Sequence, residues 1–341
     1  MIRKSLLFRT LYLLLASAAA LGMAGCTRAT YNIHEAVKAQ RFQAPDGRAP
    51  KMLAVYQPWF GTKEHIDVGY SSQDPKVVQR QIDEAKALGI NGFVVNWYGP
   101  RKEFMDKAYE VVQRAATKNN FKIAMQYDEA VDNPGNWTEA VIVDLQYAYD
   151  KYIAGNTGVP TDAYLRYNGR PVIFIFPKTD KTDWNRVKQV TQSWSDPPLL
   201  IYKDPSERFP NAFDGYYAWV QPGKRGWQHD GSNWGGEYLE NFYQRMRTKY
   251  PNKIAVGAAW PGFDDTPASW SKNRKMDARC GKTFEESLRL FRRYYDDNQP
   301  LPFLLIVTWN DYEEGTAIER GLLKCNGDGS PRQTTKTAAA N

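Results

Sequence analysis

Residues 74–97 read DPKVVQRQIDEAKALGINGFVVNW, and the period of their apolar residues changes midway. In the first half Val77, Ile82, Ala85 and Leu88 recur at helical spacing. Asp74 before Pro75 is an N-cap followed by a first-turn proline, and Gly89 is a stop, so a helix is predicted from Asp74-Pro75 to about Leu88. The second half, Gly92–Trp97, is a short apolar, β-branched run with the length of a buried strand. A similar run, Met52–Tyr56, stands upstream, so the three pieces form a β-α-β unit with parallel strands. Further strand candidates follow at Lys122–Tyr127, Pro171–Phe176, Leu199–Tyr202, Phe213–Val220, Lys253–Ala259 and Phe303–Trp309. Helical stretches at Phe104–Lys118, Trp137–Tyr152, Trp184–Trp194, Tyr238–Tyr250 and Phe284–Asp297 lie between most of them. Eight strands running one way is the number that closes an α/β barrel, and such barrels are single domains of about 250 residues. The predicted fold is therefore an α/β (β/α)8 TIM barrel over residues 51–322. An open doubly wound sheet is the alternative, but no Gly-rich phosphate loop follows the first strand.

The ends of the chain have a different character. Arg3, Lys4 and Arg9 precede an apolar run from Leu11 to Met23, which closes on small residues before Cys26. That run is shorter than the roughly 20 apolar residues a membrane span needs and has the three-part layout of an export signal. Met23-Ala24-Gly25-Cys26 resembles a bacterial lipobox, so residues 1–25 are expected to be a signal peptide and Cys26 to be acylated. A conventional signal with an incidental cysteine is the other reading. Residues 26–50 read as a tether and 323–341 as a disordered tail. Thr27, where retained lipoproteins often have aspartate, directs the expectation to the outer membrane of a bacterial envelope, periplasmic or surface-facing. The only membrane contact expected is through the lipid.

Composition narrows the classes of partner. Taking the three basic leader residues off the formal +7 leaves +4, and no Lys/Arg block marks a nucleic-acid face. Three scattered histidines (His34, His65, His229) and no Cys/His cluster imply no metal site, and no cofactor is expected. Cys280 and Cys325 are free to pair or to remain thiols. Aromatic residues make up 14% of the chain, with 11 Trp and 21 Tyr. Rings stack on sugar faces, but they also fill cores, so composition alone does not decide between these uses.

Position decides more. In a (β/α)8 barrel the active site lies at the C-terminal ends of the strands. Nearly every predicted end carries Trp or Tyr, and most carry an acid or amide: Tyr56 and Trp59, Trp97, Asp128, Tyr217 and Trp219, Trp260 and Asp264, and finally Trp309-Asn310-Asp311-Tyr312-Glu313-Glu314. Rings and polar groups gathered on one rim describe a groove for an oligo- or polysaccharide. Glycosidic bonds are usually cleaved by paired carboxylates. Asp311 and Glu314, three apart, face one side of a turn, while Glu313 faces elsewhere. The competing reading is that these acids only favour the N-terminus of a following helix.

Here the sequence resembles glycoside hydrolase family 99 and its family 71/99-like bacterial relatives. The matching pieces run in order over roughly 270 residues, from Met52 to about Arg320. They are Tyr56-Gln57-Pro58-Trp59-Phe60, Tyr70 to Pro75, Gln81 to Trp97, Gly169-Arg170-Pro171, Phe213 to Tyr217, Pro261 to Thr266 and Asn310 to Thr316. The resemblance implies a hydrolase of internal α-mannosidic bonds that retains configuration through the substrate's own 2-hydroxyl. It maps the base onto Asp311 and the acid/base onto Glu314. Asn310 falls at a neighbouring amide, Asp128 at an acid on strand three, and Tyr56 and Tyr217 at substrate-contacting tyrosines. Two departures accompany it: the family has glutamate at the positions of Asp311 and Asp128. Aspartate is shorter by about 1.5 Å, one carbon–carbon bond. Either the loop advances, or substrate and stereochemistry differ, as in the inverting family 71 α-1,3-glucanases. The remaining alternatives are a non-catalytic, glycan-binding surface lipoprotein and a barrel of other chemistry, such as a deacetylase or lyase.

Overall fold

The computed structural model describes residues 50–129 and 135–320; the leader, Cys26, the tether before residue 50, Cys325 and the C-terminal tail lie outside them. Eight strands form the barrel: β1 Lys51–Tyr56, β2 Gly92–Trp97, β3 Lys122–Asp128, β4 Arg170–Phe176, β5 Leu199–Lys203, β6 Gly215–Tyr217, β7 Ile254–Ala259 and β8 Phe303–Ile306. Each pairs in parallel with the next, and β8 pairs with β1 through Lys51–Phe303 to Ala54–Ile306, which closes the ring. The structure is thus a (β/α)8 barrel. Its helices are α1 Pro75–Ala87, α2 Glu103–Lys118, α3 Trp137–Ala148, α4 Trp184–Thr191, α5 Gly236–Thr248 and α6 Lys282–Leu290. The connection from β5 to β6 has no helix.

α1 forms for the reasons its sequence suggests. The Asp74 carboxylate accepts the Lys76 N–H at 2.8 Å, Pro75 opens the helix, and Gly89 follows with φ +86°. Its buried stripe is Val78, Gln81, Ile82 and Ala85, so Val78 takes the core position that the spacing assigned to Val77. Two strands are shorter than predicted. In β6 only Gly215–Tyr217 are paired, because the chain turns so that the Trp219 N–H reaches Tyr238 Oη at 3.2 Å on α5. β8 stops at Ile306, because the Thr308 N–H turns back to the Thr316 carbonyl at 3.0 Å.

Alternation along the strands decides what reaches the barrel mouth, since successive side chains point to opposite faces. The outward residues at the ends of β1–β3 are hydrogen-bonded to helices. Tyr56 Oη donates to Gln81 (2.9 Å), Trp97 Nε1 to Asp106 (3.0 Å) and Tyr127 Oη to Asp144 (3.0 Å). Their inward neighbours Gln57, Asn96 and Asp128 line the mouth.

Candidate active site

A cavity of about 800 Å³ opens at the C-terminal ends of the strands, and every strand or the loop after it contributes to its wall. β1 sends Gln57, Trp59 and His65; β2 sends Asn96, Tyr98, Lys102 and Met105; β3 sends Asp128. Phe176 and Lys178 follow β4, and Lys203 ends β5. Trp219 and Trp227 come from the loop after β6, Phe263, Trp270, Lys272 and Arg274 from the loop after β7, and Asp311 and Glu314 from beyond β8.

Asp311 sits at the end of a chain of buried amides. Gln126 Nε2 donates to Asn96 Oδ1 at 2.5 Å, Asn96 Nδ2 to Gln57 Oε1 at 2.6 Å, and Gln57 Nε2 to Asp311 Oδ2 at 3.2 Å. The three amides are aligned so that each donor points toward the carboxylate. The other oxygen, Oδ1, accepts the Glu314 N–H at 2.9 Å. Asn310 fixes the loop beneath: its Oδ1 accepts the Gln57 N–H at 2.7 Å and its Nδ2 donates to the Gln57 carbonyl at 3.0 Å. This clasp joins the first and last strand ends.

Glu314 is held from the other side. Gly315 turns there with φ +64°, and a Cβ on it would meet the Asp264 nitrogen at 3.0 Å, so glycine lets the Phe263–Asp264 segment approach. The Asp264 N–H then donates to the Glu314 carbonyl at 2.9 Å. Phe263–Asp264 pairs with Lys275–Met276, and the intervening loop is organised by the buried Asp265. Its carboxylate accepts the Arg274 N–H (2.8 Å) and Nε (2.7 Å), the Ser271 hydroxyl and the Lys272 N–H. Burial opposes the charge on Asp265, but Arg274 and the backbone donors hold its carboxyl below the usual range. That loop delivers Trp270, whose Nε1 donates to Glu314 Oε1 at 3.2 Å, and Arg274, 3.9 Å from the same oxygen.

Burial, with the neighbouring Glu314 charge, pushes the Asp311 carboxyl well above the ordinary carboxylate range, and burial raises Glu314 against the opposing Trp270, Arg274 and Lys178. The negative charge of Glu314 adds to burial in favouring the protonated form of Asp311. Burial acts hardest on Asp311, yet both of its oxygens already accept hydrogen bonds, whereas no hydrogen bond to Glu314 Oε2 is found among the described residues. The hydrogen-bond pattern leaves Glu314 Oε2 as the oxygen of the pair able to carry and donate a proton. Glu313 is turned away from both: it binds His65 Nδ1 (2.7 Å) and the Ile66 N–H (3.2 Å). His65 in turn stacks on Trp59 at 4.4 Å, and Trp270 stands edge-on to Trp59 at 5.8 Å, making an aromatic wall beside the acids. Asp128, with Lys178 Nζ at 3.3 Å, is raised by burial to about 6.

Of the residues singled out from sequence, Asp311, Glu314, Trp59, Asp128 and Trp219 line the cavity. The other six stand behind it. Tyr56 and Trp97 face helices, as described above. Trp260 is buried with its Nε1 on the Trp234 carbonyl (2.9 Å), and Tyr217 lies under Trp219 with its hydroxyl on the Ile175 carbonyl (3.2 Å). The Asp264 side chain caps Thr266, and Asn310 braces Gln57. For Tyr56 and Trp97 the cause is that a strand end contributes alternate residues to two faces; Tyr217 lies one layer deeper than Trp219, and Asp264 and Asn310 are taken by local hydrogen bonds. Gln57, Asn96, Lys178, Lys203, Trp270 and Arg274 are lining residues not selected from sequence. Among the described residues no group of His, Cys, Asp and Glu could hold a metal ion. Cys280 is disulfide-bonded, and Cys325 lies outside the described residues.

A (β/α)8 barrel whose mouth pairs two acids beside an aromatic wall has the build of a carbohydrate-active protein. The comparisons with known proteins are more specific. The profile of glycosyl hydrolase family 71 matches residues 66–329, and the chain belongs to that family. It is 23% identical over 289 residues to mouse glycoprotein endo-alpha-1,2-mannosidase, covering 77% of this chain and 58% of the mouse protein. A zebrafish endo-alpha-1,2-mannosidase-like protein is 23% identical over 278 residues, covering 75% of this chain and 58% of its own. The chain thus spans somewhat over half the length of these relatives. The GH99 endo-alpha-mannosidase of Bacteroides thetaiotaomicron superposes with a TM-score of 0.63 at 18% identity, over 81% of this chain and 89% of that one. A glycoside hydrolase-like protein gives 0.59 at 17% identity, over 83% and 90%. At these identities the structural likeness speaks for the fold.

Proposed function

We propose that this protein is a glycoside hydrolase that cleaves internal α-mannosidic bonds, with Glu314 as acid/base and Asp311 as its partner. The observation that carries the reading is that Asp311 and Glu314 line one enclosed cavity while Glu313 binds His65 behind it. The printed names of the mouse and zebrafish relatives support the α-mannosidic choice. In this reading the substrate's 2-hydroxyl gives its proton to Asp311 as that oxygen attacks the anomeric carbon. Glu314 at the same time protonates the leaving glycosidic oxygen. Water, deprotonated by the now ionised Glu314, attacks the anomeric carbon and opens the intermediate, while Asp311 gives its proton back to the departing 2-oxygen, restoring the 2-hydroxyl and both starting carboxyl states. The Gln57 amide donates to Asp311 and so favours its ionised form, against the burial that favours the protonated one. Trp59 and Trp219 supply faces for sugar rings, and Asp128 a hydrogen-bonding group.

The shorter Asp311 side chain, together with the family 71 profile, favours one second reading: an inverting hydrolase in which water enters between the acids. Chromatography of products from a panel of α-mannans and α-1,3-glucans, with NMR of the anomer first released, separates the two. Release of the α-anomer from mannan supports the first reading and the β-anomer supports inversion. Binding without cleavage across the panel would leave a glycan-binding protein. We further propose export to the bacterial envelope and acylation at Cys26, on the N-terminal sequence alone; palmitate labelling that survives Cys26→Ser would refute the anchor.

A further inference from the structure

The cavity holds more positive charge than a neutral glycan requires. Five cationic side chains line it (Lys102, Lys178, Lys203, Lys272 and Arg274) against three acids (Asp128, Asp311 and Glu314). Arg274 is paired with Asp265, and Lys178 with Asp128. Lys203 differs. It ends β5, half-buried, with its ammonium 4.4 Å from the centre of the Phe176 ring, and no hydrogen bond or ion pair to it is found among the described residues. The acid next to it in sequence, Asp204, is taken by the Tyr238 hydroxyl at 2.6 Å. Lys178 Nζ lies 4.7 Å from the centre of the same ring. Its loop is fixed by the buried Glu129, which accepts the Lys178 N–H at 2.9 Å and the Thr179 N–H at 3.2 Å. Burial and, more weakly, the neighbouring Lys178 act against the charge on Lys203, while Asp204, Asp128 and Glu314 offset part of that from beyond ion-pair distance. A half-buried ammonium that makes no direct ion pair gains from a ligand that brings an anion into contact with it.

We propose that Lys203 and Lys178, flanking Phe176, form a subsite for an oxyanion substituent, so that the favoured substrate is an α-glycan bearing sulfate, phosphate or carboxylate groups. The inference rests on the glycan-cleaving reading of the same cavity. Lysine suits such a site as a compact point charge, and Phe176 with Trp219 edge-on at 5.1 Å presents the adjoining apolar surface.

The test uses full-length Glu314→Gln protein, titrated calorimetrically with a mannotetraose and with its sulfated, phosphorylated and uronate counterparts. At least one charged form is expected to bind about tenfold tighter than the neutral one, with the advantage shrinking as salt rises. Which derivative binds best identifies the oxyanion. Lys203→Gln in the same background is expected to erase that advantage while Lys203→Arg keeps it, and melting temperatures establish that each variant is folded. Should Lys203→Gln not fold, Lys178→Gln is expected to reduce the same ratio. Equal binding of neutral and charged sugars overturns the subsite and leaves the hydrolase reading intact. Tighter binding of a charged sugar that active protein never cleaves supports the subsite and counts against the hydrolase. Failure of every sugar to bind overturns both.

Discussion

Replacing Gln57 by methionine is expected to move the acid limb of the pH–rate profile upward by about one to two units. Gln57 is buried, and its Nε2 is the donor to Asp311 Oδ2, at 3.2 Å. Methionine has nearly the same length but no N–H. A hydrogen bond to a charged acceptor contributes about 1.5–3 kcal/mol, and one pKa unit corresponds to about 1.36 kcal/mol, which gives the size of the shift. Its direction follows from which form the donor favours. The Gln57 N–H stabilises the ionised carboxylate, so its removal favours protonated Asp311, and the base is then competent only at higher pH. The Glu314 N–H on Oδ1 remains, so the loop keeps its turn. Asn96 Nδ2 loses its partner at 2.6 Å and keeps only the Tyr98 hydroxyl at 3.4 Å, so some stability goes too. A loss of about 1–3 kcal/mol would lower Tm by roughly 2–4 °C per kcal/mol. The assay is kcat/KM against pH on whichever oligosaccharide the panel shows to be cleaved, at temperatures where both proteins are folded. An acid limb that stays in place, or moves down, would refute the role given to the amide chain.

Other expectations follow from the same geometry. Asp128 titrates near 6 in the folded protein against about 3.9 in an unfolded chain, so its contribution is present below pH 4 and lost as pH rises through 6. Asp128→Asn should flatten that part of the Tm–pH curve, by up to about 3 kcal/mol, in calorimetric scans across pH 4–7. Gly315→Ala forces a side chain into a left-handed turn against Asp264; a stability loss of about 1–2 kcal/mol and a lower kcat should appear together, in denaturant melts and in turnover. Glu313→Gln keeps polar partners for His65 and the Ile66 N–H and does not itself line the cavity, so kcat should stay within about threefold of the parent, well short of the 10²–10⁴ that general acid–base groups supply.

The parts of the molecule legible in sequence are those encoded locally. The switch from helical to strand spacing across residues 74–97, with Asp74, Pro75 and Gly89 as punctuation, is enough to predict α1 and β2, and its repetition is enough for the barrel. The separation of Glu313 from Asp311 and Glu314 follows from turn spacing alone. Alternation along a strand carries a further signal: with Asp128 facing inward, Gln126 does too and Tyr127 does not. The same parity places Gln57 and Asn96 in the mouth and sends Tyr56 and Trp97 to the helices. Trp270 and Arg274 are a different matter. They reach Glu314 only because Asp265 gathers the loop between Phe263–Asp264 and Lys275–Met276, and no periodicity records such a loop. Val78 rather than Val77 is in the core of α1 because Val78, Gln81, Ile82 and Ala85 follow i, i+3, i+4, i+7 spacing, and Val77 lies about 100° away from Val78 round the helix.

The account stands most directly on the acid pair, and one comparison tests it: oligosaccharide release from α-mannan by the parent protein, Glu314→Gln and Asp311→Asn, with binding measured alongside. The parent should release internal fragments, and each variant should still bind the glycan while its release falls by about 10²–10⁴. Near-parental release by either variant, with folding and binding intact, would contradict the assignment of that carboxyl and with it the mechanism.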